Sequence, residues 1–158
     1  MKKTLSILLF IFLVIFLFLN SCSKTGQTST NTQDTSSADV STQTPKQVVE
    51  LYFKSWNDKK YDIMYQLISD GFKQIEPTAK TFEDFKSYME KFYDTSSGIN
   101  VVEVKENYGN EKEAGIDYKI EIINRDDSKK EFSSTYTLKK RVNGWKLIHP
   151  YGKNIDTT

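Results

Sequence analysis

From Leu5 to Leu19 the chain is apolar at every position except Ser6, and from Ser23 to Pro45 it is polar at nearly every position. Beyond Pro45 the apolar residues recur first every three to four positions and then every second one. These last two periods belong to helices packed by one face and to half-buried strands. The first helix is signalled at both ends. Thr44 is its N-cap, Pro45 stands at the first helical position, and Gln47 completes a capping box. Val49, Phe53 and Trp56 fall at i, i+4 and i+7 with Val48, Leu51 and Tyr52 widening the stripe, and Asn57 and Asp58 close the helix. A second helix is expected over about Lys60 to Ser69, with Tyr61, Met64, Leu67 and Ile68 inward and Gly71 as its stop. Phe72 and Ile75 lead on to Pro77. The third begins after Thr81, which Asp84 helps to cap, and carries Phe82, Phe85, Met89 and Phe92 as a stripe with Tyr88 and Tyr93 beside it.

From Ile99 the period is two. Val102 and Val104 lie in a first strand, while Ala114, Ile116, Tyr118, Ile120 and Ile122 form the apolar side of a second. Phe132, Ser134, Tyr136 and Leu138 form the same side of a third, and Trp145 and Leu147 that of a fourth. Asn143-Gly144 before Trp145 is a strong hairpin signal. Helices followed by a meander of strands give an α+β domain, with three helices packed on one face of a four-stranded antiparallel sheet. Asp117, Lys119, Glu121 and Lys139 have the opposite parity and are expected on the other face. Gly115 is the place in the second strand where a bulge would shift that parity.

The apolar run from Leu5 follows Lys2 and Lys3, the pattern of a secretory signal. Its fifteen residues cover about 22 Å as a helix, short of the roughly 30 Å hydrocarbon core. Leu19-Asn20-Ser21-Cys22 at its end resembles the lipobox of bacterial lipoproteins, with Leu at minus three, Ser at minus one and Asn20 at the minus-two place where small or β-branched residues are usual. The chain's single cysteine stands at the lipobox position. The resemblance implies cleavage before Cys22, a diacylglyceryl group on its sulfur and a protein held by membrane lipid on the extracytoplasmic face. Residues 1–21 are then a signal peptide, 22–44 a lipidated tether and 45–158 the domain. Between Ser23 and Pro45 there are 12 Ser or Thr among 23 residues, a composition that buries too little to order itself.

Losing residues 1–21 removes two lysines and no acid, leaving 20 basic against 21 acidic side chains. That balance argues against nucleic acid as a partner, which calls for a clearly basic face. One cysteine and one histidine provide neither a disulfide nor a Cys/His metal site, so no metal and no cofactor is expected. Lys129, Lys130, Lys139, Lys140 and Arg141 form the basic concentration and suit a solvated sheet edge. Ile123, Val142 and Ile148 are apolar positions off the inward face, which would mark a partner's footprint if contiguous.

The helices in TPKQVVELYFKSWNDKKYDIMYQLISDGF and TFEDFKSYMEKFY, with the closing NGWKLIHPYG, resemble the NTF2-like superfamily over residues 44–152, in its lumazine-binding-like lipoprotein branch. The resemblance implies a cone, a curved sheet wrapped on helices, in a superfamily that includes isomerases, dehydratases, ligand carriers and interaction modules. Because fold does not select among these, the inward residues must. No acid/base pair has inward parity, so no catalytic residue is assigned, and His149 is the lone candidate base. Tyr52, Trp56, Tyr88, Tyr118, Tyr136, Trp145 and His149 are the candidate ligand-binding residues, suited to a small apolar or aromatic ligand. The expectation is a membrane-anchored binding or interaction module with a ligand or protein partner. The alternatives are an NTF2-like isomerase or dehydratase and an accessory domain of a cell-wall or secretion assembly.

Overall fold

The computed structural model describes residues 40–148. Cys22, His149 and most of the tether lie outside the described residues. Helix α1 (Pro45–Asn57) opens on the expected capping box: Gln47 N donates to Thr44 Oγ1 at 3.3 Å and Thr44 N to Gln47 Oε1 at 2.9 Å. Helix α2 (Tyr61–Leu67) is shorter than its sequence suggests, and a further short helix α3 (Asp70–Ile75) follows it. Gly71 is therefore inside α3 rather than a stop, and among the described residues the α-helices before the sheet number four rather than three. The break falls at Ile68–Ser69 because that segment pairs with the sheet instead. Ile68 bridges Leu147 in parallel, and Ser69 N donates to Leu147 O at 2.9 Å. The Ser69 hydroxyl then caps α3 by accepting from Phe72 N at 3.2 Å. Helix α4 (Phe82–Thr95) starts at Thr81, which accepts from Asp84 N at 3.1 Å.

Strands β1 (Ser96–Gly109), β2 (Glu113–Asn124), β3 (Lys129–Arg141) and β4 (Gly144–Ile148) form one antiparallel sheet in the order β1-β2-β3-β4. The β2–β3 register runs unbroken from Glu113 opposite Lys139 to Ile123 opposite Lys129. The irregularities lie in β1, where Ser97, Val102 and Asn107 are extra residues opposite a continuous β2. Each such insertion bends and twists the strand that carries it. The last turns Tyr108 to the convex side, where its ring occupies the space that a Cβ on Gly115 would need. Gly115 thus answers a bulge in the neighbouring strand and carries none itself. The β3–β4 turn is not the tight type that Asn-Gly favours at its centre. Val142 and Asn143 occupy the centre without a positive φ, and Gly144 follows at φ +103°.

The concave face is apolar as its parity predicts: Ala114, Ile116, Tyr118, Ile120, Tyr136, Leu138 and Leu147 are buried against Val48, Val49, Tyr52 and Phe53 of α1 and Met64 and Leu67 of α2. Phe132 departs from that list at 47% exposed, because the helices do not reach its part of β3. The convex face is a polar lattice. Lys119 meets Glu131 at 2.7 Å, Lys129 meets Glu121 at 3.0 Å, and Thr135 donates to Asp117 at 2.6 Å.

The basic residues of β3 divide between its two ends: Lys139, Lys140 and Arg141 pair with β4 and are not on an edge, whereas Lys129 and Lys130 lie on a stretch that, among the described residues, pairs with β2 alone and is the sheet edge expected of them. Ile148 is buried rather than outward, and Ile123 and Val142 stand at opposite ends of the sheet, so the three make no common footprint. A single 3₁₀ turn, Val40–Thr42, also precedes α1, with Val40 packed against the core, so the described fold begins before Thr44.

Candidate functional site

Four of the predicted site residues meet under α1. Tyr52 and Trp56 lie one turn apart on that helix, and Tyr118 and Tyr136 project from neighbouring strands to face them. The Tyr118 and Tyr136 rings stack at 4.5 Å and 20°, and Tyr52 meets Tyr136 edge-on at 5.9 Å. Phe53 fills the centre, 5.0 Å from Tyr118 and 6.0 Å from Tyr136. Trp56 packs edge-on against Phe92 of α4 at 5.0 Å, and its indole Nε1–H is buried without a hydrogen-bond partner among the described residues.

The other predicted residues are placed differently. Tyr88 is 54% exposed on α4, near enough to Tyr52 and Tyr136 to act on them electrostatically, and belongs to the rim. Trp145 is buried at the β3–β4 turn, with the Lys140 ammonium 5.5 Å from its ring centre. It pairs opposite Lys140, four residues or about 13 Å along β3 from Tyr136. Its burial serves the core at that end, not the tyrosine cluster.

The electrostatics of the cluster are those of neutral phenols. Burial, reinforced by the neighbouring hydroxyls, pushes Tyr52 and Tyr136 well above the ordinary tyrosine range. Tyr118 is also raised, chiefly by burial, and hydrogen bonds from Tyr136 and Ser134 partly offset that shift. Such groups stack and hydrogen-bond, but they do not exchange protons near neutrality.

Two residues carry structural work that periodicity does not reveal. Asn57, at the end of α1, grips the backbone of β1: its Nδ2 donates to Ile99 O at 2.8 Å, and Ile99 N donates to its Oδ1 at 2.9 Å. The side-chain amide thus imitates a neighbouring strand. Asn57→Ala should lower stability by about 1–3 kcal/mol, since it leaves a partly buried donor and acceptor unpaired; urea denaturation measures it, and Asn57→Asp should keep only the contact from Ile99 N. Lys146, at 8% exposed, donates to Gln66 O at 2.7 Å. Burial lowers its pKa, Lys73 nearby adds to the shift, and Asp70 opposes it. On parity Lys146 belongs to a solvated face, and it is covered because the Ile68–Ser69 segment and α3 wrap the β4 edge.

With this geometry established, comparison with known proteins is decisive at the level of family. Residues 44–150 match the model of the NTF2-like N-terminal transpeptidase domain. The chain belongs to that family. Among solved structures, an NTF2-like relationship appears as fold alone. RPA3114, a SEC-C motif containing protein from Rhodopseudomonas palustris, is 7% identical with a TM-score of 0.50, over 65% of this chain and 73% of that one. A Nostoc punctiforme protein of unknown function with a cystatin-like fold is 15% identical with a TM-score of 0.49, over 65% and 81% respectively. A search of curated proteins gives no match. The expected NTF2-like α+β domain is thus found, and the matching family is the transpeptidase-associated one rather than the lumazine-binding-like branch.

Proposed function

We propose that this NTF2-like domain is a binding module without chemistry of its own, held by lipid on Cys22 at the extracytoplasmic face of a membrane and working beside peptide-crosslinking machinery. The observation that carries the reading is the interlocked ring cluster. The concave face, where an NTF2-like enzyme of the expected kind keeps its acid and base, is filled here by Phe53, Tyr52, Tyr118 and Tyr136. The carboxylates of Asp117 and Glu121 lie on the convex face, engaged with Thr135 and Lys129. As neutral phenols these tyrosines can donate hydrogen bonds but cannot serve as a general base, so a rival isomerase or dehydratase would depend on His149 alone for proton abstraction. The family description, which places such domains in transpeptidases, favours a partner in wall assembly over a free small molecule.

Two experiments test the reading. Cys22→Ser should move the protein from the membrane fraction to the soluble one, because acyl chains contribute about 0.8 kcal/mol per buried methylene and nothing else in the mature sequence replaces them. A variant that stays membrane-bound removes the anchor from the proposal. Photo-crosslinking in intact cells from exposed positions such as Tyr88 and Val102, read by mass spectrometry, should give adducts with a transpeptidase. Adducts confined to other protein classes overturn the assigned partner.

A further inference from the structure

Among the described residues the borders of the sheet are not alike. The β4 border is taken by Ile68–Ser69. The outer border of β1 is interrupted by the extra residues Ser97, Val102 and Asn107, which break the alternation that a neighbouring strand needs. The remaining stretch is Lys129–Thr135 of β3: β4 pairs with β3 only from Arg141 to Thr137, so this stretch has β2 alone as a neighbour. Its hydrogen-bonding direction follows from two contacts. Lys140 N donates to Lys112 O at 2.9 Å and Asn124 N to Ser128 O at 2.9 Å, so even-numbered residues at either end of the β2–β3 pairing turn their backbone groups toward β2. With the register unbroken between them, the odd-numbered Lys129, Glu131, Ser133 and Thr135 turn theirs outward. This is a regular open edge. Phe132 stands at its middle on the concave side, 47% exposed, and the lysines that guard the edge stand only at its end. Extending β4 in register would set Pro150 opposite Thr135, where a strand must donate a hydrogen bond and proline has no N–H.

We propose that the occupant of this edge is a second copy of the chain, the two β3 strands pairing antiparallel about a twofold axis at Phe132. Of the symmetric registers, this one uses every outward position of both copies, with Lys129 opposite Thr135 and Glu131 opposite Ser133. It also sets Lys130 opposite Ser134 and brings the two exposed Phe132 rings side by side, an aromatic cross-strand pair. No like charges stand opposite one another. On the convex face Glu131 is already paired with Lys119 at 2.7 Å and Lys129 with Glu121 at 3.0 Å, so each copy brings neutral ion pairs to the seam. A register centred on Glu131 instead would set the two Glu131 carboxylates directly opposite, which is destabilising. The axis at Phe132 passes through the sheet, so both copies show their concave faces on the same side. Two domains joined in this way offer a partner two identical surfaces at once, and the second contact then forms at high effective concentration.

The test uses the full chain in mild detergent, with Cys22→Ser so that an introduced cysteine is the only thiol. Val102→Cys is the control, since Val102 is as exposed as Phe132 but stands on the β1 border. Under mild oxidation Phe132→Cys should give a disulfide-linked dimer about tenfold faster than this control, because directly opposed Cβ atoms of a non-hydrogen-bonded pair lie about 4.5 Å apart, close to what a disulfide requires. Mixing Lys130→Cys with Ser134→Cys chains should give crosslinks faster than either variant alone, which fixes the register. With Phe132 in place, exchange of the Glu131, Ser133 and Thr135 amide hydrogens should slow as protein concentration rises. Equal crosslinking at positions 132 and 102 overturns the proposal, and so do amides that exchange freely at every concentration. Amides protected equally in dilute and concentrated protein also overturn it, because they assign the edge to residues 149–158 of the same chain.

Discussion

Phe53→Ala should cost this domain about 3–5 kcal/mol, the range for truncating a fully buried phenylalanine. The Phe53 ring is completely buried, and four rings surround it: Tyr52 and Trp56 on its own helix, Tyr118 and Tyr136 on the sheet. It is the side chain through which α1 meets the concave face, so its loss opens a cavity that neither rigid element can close. Against a total stability of about 5–15 kcal/mol this is a large fraction, and the melting temperature should fall by roughly 12–25 °C. Calorimetry or circular dichroism reads the shift. Tyr88→Ala provides the contrast. Its ring stands at the rim with more than half its surface in water, and its loss should cost less than about 1 kcal/mol. A fall of only a few degrees for Phe53→Ala would mean that the rings are loosely arranged and the concave face retains space for a ligand, which favours the carrier or enzyme alternatives.

The contrast between these two aromatics marks what a sequence can and cannot disclose. Phe53 and Tyr52 are legible because a helix turns about 100° per residue and α1 is well capped, so its inward face follows from counting. The tyrosines of β2 and β3 are legible for the same reason at period two, and the unbroken β2–β3 register preserves their parity. Tyr88 is not, because a helical stripe fixes direction but not how far the opposing layer extends. Phe132 is misjudged for that same reason. The features that remained hidden all depend on pairing between distant segments. Ile68–Ser69 leaves its helix because the open edge of β4 offers hydrogen bonds, and this converts Lys146 from a surface residue into a buried one. Asn57 looks like an ordinary helix terminus until Ile99 is brought to it, and Gly115 looks like a bulge until Tyr108 is seen to occupy its missing side chain.

Raising the pH should unfold the domain in one cooperative step above about pH 10, with the buried tyrosinate signal appearing in that step and not before it. A free phenol ionises near 10. Burial holds Tyr52, Tyr118 and Tyr136 above that value in the folded domain, and Tyr61, Tyr65 and Tyr93 shift the same way. In this window the unfolded chain binds fewer protons than the folded one, so stability falls as pH rises; below 10 both states hold the protons and the contribution is fully present. Lys146 has the opposite sign. Its folded-state pKa lies below 10.5, so folding gains as pH rises through that interval. One lysine opposes six tyrosines, and the tyrosines prevail. Absorbance at the tyrosinate band and far-ultraviolet circular dichroism, followed together, should therefore show a shared transition whose amplitude drops by one phenolate in Tyr136→Phe. If the phenols of Tyr52, Tyr118 and Tyr136 instead ionise while the circular dichroism is still native, water and hydroxide reach the concave face of the folded protein. That face would then be open to a ligand, and the binding surface would move from the exterior of the cone to its interior.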